Sequence, residues 1–142
     1  MENVSQIDAA IIRVYRESHY HVAGDAPTTL LIDVFSQDLQ RIHQLAHVEE
    51  SVFLTACNPR SHLLDAESNA QRQQQLAQAL EARKISYLNA SGAHPYNGWP
   101  AEPSFLALGL SVEDATVLCK QFDQNALVWA GANAILRLIL LR

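Results

Sequence analysis

The chain has 142 residues, 49% of them apolar, and a formal net charge of −5. That length suits one domain over residues 1–142, able to bury roughly 70% of the surface its unfolded form exposes, so neither a disulfide nor a metal is needed to hold it together. The apolar fraction excludes a disordered chain, and the acidic balance argues against a nucleic-acid or anionic-lipid partner held by clustered Lys and Arg.

Ser5 followed by Asp8 reads as a helix start, with Ile7, Ile11, Val14 and Tyr15 at helical spacing until about Ser18. Residues 19–22 and 28–34 read as two strands of a hairpin around the turn residues 23–27. Residues 37–47 form an amphipathic helix. Residues 51–56 are a short apolar run bounded by polar residues, the mark of a buried strand, and Asn58-Pro59 ends it. Asp65 caps a long helix over residues 66–83, with Ala70, Leu76, Ala77 and Leu80 on its apolar face, and residues 85–89 form the next strand. Strand, helix and strand in this order predict a parallel crossover. Residues 90–102 read as one long irregular loop, which in a compact domain usually carries function. A strand at residues 104–110, a helix capped by Ser111, and strands at residues 126–130 and 135–141 complete the chain. The expected fold is a single α/β domain, α+β-like, with helices packed on a mixed parallel/antiparallel sheet.

Three segments carry chemistry. Residues 53–61 leave a buried strand and enter a helix, where free N–H groups favour an anion; Asn58 and Arg60 add donors, and Asn69 and Arg72 share the next helix face. The alternative is that Asn58-Pro59 only makes a turn. Residues 94–104 combine an imidazole, the Trp99 ring and the Glu102 carboxylate in a loop that can lid a pocket. Glu102 is a candidate general base, but no nucleophile is paired with it by spacing. Residues 122–125 offer Asp123, Gln124 and Asn125, residue types that commonly satisfy backbone groups in short loops. His43 and His47 stand four apart on a helix without a third ligand, so no metal is expected, and no cofactor motif is present. Cys57 and Cys119 lie in or beside apolar runs and read as buried thiols.

Residues 1–6 are polar and lack a signal-peptide pattern. The longest apolar stretch, from Ala134 and broken by Arg137, is far short of the ~20 residues of a membrane span. A cytoplasmic protein without membrane attachment is expected.

The motifs Thr55-Ala56-x-Asn58-Pro59-Arg60-Ser61, Asn69-x-x-Arg72, Trp99-x-x-Glu102-x-Ser104 and Phe122-x-Gln124-Asn125-Ala126 occur in this order. In these the chain resembles, from about Tyr15 to Trp129, a small bacterial family catalogued as domain of unknown function 3293. A Gly often stands in that family at Asp123 and a large residue at Cys57; the second departure speaks against a nucleophilic Cys57. The resemblance brings no activity with it. It implies that Asn58, Arg60, Asn69, Arg72, Trp99, Glu102 and Gln124 belong to one signature. The leading expectation is a pocket for a small anionic or nucleotide-like ligand, with Arg60 and Arg72 neutralising charge and Trp99 stacking. The alternative is a non-enzymatic interaction module, as a homodimer or as part of a larger complex.

Overall fold

A computed structural model describes residues 5–142; residues 1–4, part of the polar start considered above for a signal peptide, lie outside them. The first helix, α1 (Ala9–Glu17), is capped by the Asp8 carboxylate, which accepts from Ala10 N at 2.8 Å. Ser5 does not cap it: its hydroxyl accepts from Ile7 N and donates to Arg142 O at 2.6 Å, tying the start of α1 to the chain's last residue. The hairpin β1 (His19–Val22) and β2 (Thr28–Leu30) follows, then α2 (Gln37–Ala46), capped by Ser36. Next come β3 (Ser51–Leu54), α3 (Ala66–Ala82) capped by Asp65, β4 (Ser86–Ala93), β5 (Glu102–Leu108), α4 (Val112–Gln121) capped by Ser111, β6 (Ala126–Ala130) and β7 (Leu136–Leu140).

The strands form one sheet in the order β2-β1-β4-β5-β3-β6-β7. Every pairing between strands is antiparallel, so the expected mixed sheet is wrong, while the α+β character holds. β3 and β4 do run in the same direction, but β5 lies between them and pairs antiparallel with both. Strand-helix-strand spacing fixes relative direction; it does not say whether a later strand is inserted. β5 claims the central place because its residues 104–107 are buried on both faces. From β3 to β6 the chain follows the β-α-β-β-α-β arrangement. The loop expected over residues 90–102 is shorter, because β4 runs on to Ala93 and β5 starts at Glu102.

Alternation along the strands divides the core into two layers. On one face Val52, Leu54, Phe105 and Leu127 meet Leu76 and Leu80 of α3 and Leu118 of α4. On the other, Tyr20, Leu30, Phe53, Leu106, Val128 and Leu136 gather around Leu39 of α2. All seven strands reach this second layer, fully or partly buried, as expected for the inside of a curl. The strap after β2 completes it: Ile32 bridges Leu136 and Phe35 bridges Ile135, with Asp33 N donating to Leu136 O at 2.8 Å. Edge strands β2 and β7 are thereby brought together, and the sheet becomes a half-barrel. Among the described residues, no helix is long and apolar enough to cross a membrane.

Leu136 is 1% exposed and sits where β7 meets the strap. Leu136→Ala should cost about 2–5 kcal/mol in urea unfolding, and Leu140→Ala, a half-buried position on the same strand, clearly less.

Candidate ligand-binding site

The turn after β3 is the most unusual stretch of backbone in the molecule. Asn58, Arg60 and Ser61 all have positive φ (48°, 52° and 60°), a region that L residues other than Asn and Asp seldom enter. The turn is held by side chains from elsewhere. Asn58 Oδ1 accepts from Leu64 N at 2.9 Å and from Asn69 Nδ2 at 2.8 Å, while Asn69 Oδ1 accepts from Asn58 N at 2.9 Å. Asn58 Nδ2 donates to Glu102 Oε2 at 2.7 Å. Arg60 N donates to Asp123 O at 2.8 Å, and the Arg60 guanidinium lies 3.4 Å from the Asp123 carboxylate on the surface.

Two further signature residues lock the turn to the end of α4. Arg72 donates from Nε to Ala56 O at 2.7 Å and from Nη2 to Phe122 O, with its guanidinium 5.8 Å from the Phe122 ring centre. Gln124 Nε2 donates to Cys57 O at 3.0 Å. Gln73, buried on α3, accepts from Ala56 N at 3.0 Å through Oε1.

Beside this turn the half-barrel is open. Its inner face and α1 enclose a cavity of about 320 Å³. Tyr20, Phe53, Gly92, Val128 and Leu138 form the sheet wall, and Ile11 and Val14 of α1 form the roof. Asn58, Trp99, Glu102, Ser104 and Gln124 form the polar end. Four of the seven signature residues therefore meet there. Arg60, Asn69 and Arg72 do not line it, and Asn69 faces a separate groove of about 640 Å³ beside α3.

Burial pushes the Glu102 carboxyl above its ordinary range, while hydrogen bonds from Asn58 and Trp99 act the other way. Burial likewise raises the Cys57 thiol and pushes Cys119 up to about 12, so neither has the character of an activated nucleophile. His94 lines the cavity in a defined tautomer. Its Nδ1 accepts from Tyr96 N and Asn97 N, both at 3.1 Å, so Nε2 carries the proton and donates to Glu17 at 3.0 Å. The roof is fastened on its other side by Tyr15, whose hydroxyl lies 2.7 Å from Ser61 Oγ and accepts from Asn125 Nδ2 at 3.3 Å. His43, considered above with His47, is buried against Ser51 Oγ at 2.7 Å, and His47 takes the left-handed conformation that ends α2.

The family model described as Protein of unknown function (DUF3293) matches residues 54–127, more than half of the chain. The chain belongs to that family. No curated protein and no solved structure matches it. The DUF3293 match covers the whole polar end of the cavity, whereas α1, Tyr20, Phe53, Val128 and Leu138 lie outside it. Where the DUF3293 signature resemblance suggested Gly, Asp123 has φ 56°, so the tight turn is kept by one of the few residue types that tolerate it.

The sequence reading missed Tyr15, Phe53 and Gly92 as cavity residues. Gly92 carried a signal: a glycine inside a strand often marks a close approach or a ligand. Once residues 90–93 are seen to be strand, period-two alternation brings Gly92 onto the inner face beside Tyr20 and Phe53.

Two outcomes follow. Arg72→Ala leaves two carbonyls without their charged donor and should cost roughly 2–4 kcal/mol in urea unfolding, with partial recovery in Arg72→Lys. Because the folded state raises the Glu102 pKa, the stability this group contributes is full at low pH and is lost as pH rises through the folded value. Glu102→Gln, whose amide oxygen still accepts from Asn58, should therefore melt like wild type near about pH 4 and several degrees higher near about pH 8.

Proposed function

We propose that the protein binds a small molecule with an apolar body in the half-barrel cavity, its polar end held by Asn58, Glu102 and Gln124 beside Trp99. The observation that carries this reading is the cavity itself: about 320 Å³, walled by strand residues and closed by α1, with polar side chains from three separate segments at one end. That is the usual build of a small-ligand site, and its volume is at the small end of the range. The expected anionic or nucleotide-like character rested on Arg60 and Arg72. Arg60 faces Asp123 and Arg72 faces two carbonyls, so the cavity wall lends that part no support.

Binding rather than catalysis is the function proposed. Glu102 has the raised pKa of an acid–base residue, but the nearest thiol, Cys57, is buried and held protonated. A second reading, docking of another protein chain, is favoured by Leu31, Val34 and Phe35, which are 41%, 51% and 52% exposed beside one another on the strap.

Gly92 supplies the test. Its φ is not in the positive region, and a Cβ there would meet Phe53 and Tyr20 at 3.8 and 4.0 Å, ordinary contact distances. Gly92→Val should narrow the cavity beside Phe53 and Tyr20, suit the strand, and leave the melting temperature equal or higher. In ligand-observed NMR with a panel of small aromatic and aliphatic fragments, those that bind wild type should lose their signal changes in Gly92→Val. Fragments that bind both proteins equally would place their site outside the cavity and overturn the reading.

A further inference from the structure

Glu102 stands out among the groups lining the cavity. Asn58 donates to it at 2.7 Å and the Trp99 side chain lies beside it in the cavity lining, and both are neutral. A carboxylate offers about four acceptor positions, so this leaves it incompletely satisfied. Among the described residues no Lys, Arg or His lies within ion-pair distance of it; Glu17, Asp33, Asp114 and Asp123 do have such partners, and of the described side-chain carboxylates that have none, all but Glu50 and Glu102 are exposed.

The nearby cations are all engaged elsewhere. Arg60 lies against Asp123, Arg72 spans Ala56 O and Phe122 O, and Arg142 donates to Asn125 Oδ1 at 2.9 Å. The remaining ionisable groups of the cavity lining are Tyr15, Tyr20 and His94. Burial raises the Tyr20 hydroxyl pKa, and this hydroxyl donates to Tyr15 O at 2.5 Å, so it stays neutral. Both ring nitrogens of His94 are engaged, Nδ1 by the amides of Tyr96 and Asn97 and Nε2 by Glu17, so neither is left for Glu102. The cavity therefore has one place for charge, and that place is negative.

Resting on the cavity reading above, we infer that the ligand is a small primary or secondary amine with an apolar body, its ammonium group paired with Glu102 and its body against Phe53, Val128 and Leu138. An ammonium supplies the donors that the Glu102 oxygens lack, and it supplies the charge that makes a partly buried carboxylate tolerable. Asn58 holds Oε2 at 2.7 Å and so fixes the direction in which the carboxylate receives it. The aromatic pair Tyr20–Phe53, edge to face at 5.0 Å, gives the apolar end a rigid wall.

The test uses three phenylalkyl probes of similar size, 2-phenylethylamine, 2-phenylethanol and 3-phenylpropanoate, titrated into the full chain and followed by amide chemical shifts. The amine should bind at least about tenfold more tightly than either of the others, and Glu102→Gln should remove that preference. Gly92→Val should abolish amine binding. Equal binding of all three probes, lost in Gly92→Val, would keep the cavity as a ligand site and overturn the amine. Tighter binding of 3-phenylpropanoate would overturn it too, as would binding of none of the three. The comparison among probes uses wild-type protein alone, so it stands even where the variant folds poorly.

Discussion

The carboxamide of Asn58 holds together everything that makes the open end of this half-barrel. It sits in a left-handed conformation at the end of a fully buried strand, where the chain must leave β3 and turn before α3. Its oxygen joins Leu64 N to the Asn69 amide, its nitrogen reaches Glu102, and its own backbone N–H is taken by Asn69. Asn suits such a position because it tolerates αL at little cost and carries a donor and an acceptor on one short arm. Two more positive-φ residues follow within three positions. Left-handed geometry at Arg60 and Ser61 is unfavourable by itself and persists only because Asp123 O and Asn58 O take their N–H groups.

The same turn explains why the cavity lies at one end of the curl. On the inner face, α2 fills one end with Leu39 and Ile42 packed against Leu30, Leu106 and Leu136. Towards the other end the inner positions shrink to Gly92, Ser104 and Ala126, and nothing of comparable bulk comes from α1, which buries no residue fully. A barrel interior tapers according to the size of its inward residues. Here the small ones cluster beside the Asn58 turn, and the space they leave is closed by a helix fastened chiefly through polar contacts at Tyr15, Glu17 and Ser5.

Most of the elements were legible in the sequence because caps and periodicity speak locally. Asp65 and Ser111 each accept from the residue three positions on, as their sequences suggested. Ser5 misled because Asp8, three residues later, makes the cap itself. Strand order was not legible. A strand-helix-strand unit looks the same whether its strands touch or admit a third, and the deciding event is the return of β5 through residues 94–101. The strap from β2 to β7 was hidden for a similar reason: an isolated bridge at Ile32 and another at Phe35 have no periodic signature. The signature residues could be named as a group, but their division of labour could not, because spacing does not tell whether a guanidinium faces a cavity or a carbonyl.

That division is itself informative. If Arg72 had faced Glu102, the pair would have been self-contained and the cavity neutral. Instead Arg72 donates to the carbonyls of Ala56, just past a strand, and of Phe122, at the end of a helix, where Gln124 Nε2 also reaches Phe122 O at 3.3 Å. A guanidinium fits this task better than an ammonium, since its planar fork reaches two acceptors in fixed directions. Glu102, at the first residue of β5, is then left with only neutral donors. A chain selected for stability alone would gain by replacing that carboxylate with an amide, which keeps the Asn58 bond and avoids burying a charge. The carboxylate is costly to bury, and it lines the cavity together with Asn58, Trp99 and Gln124.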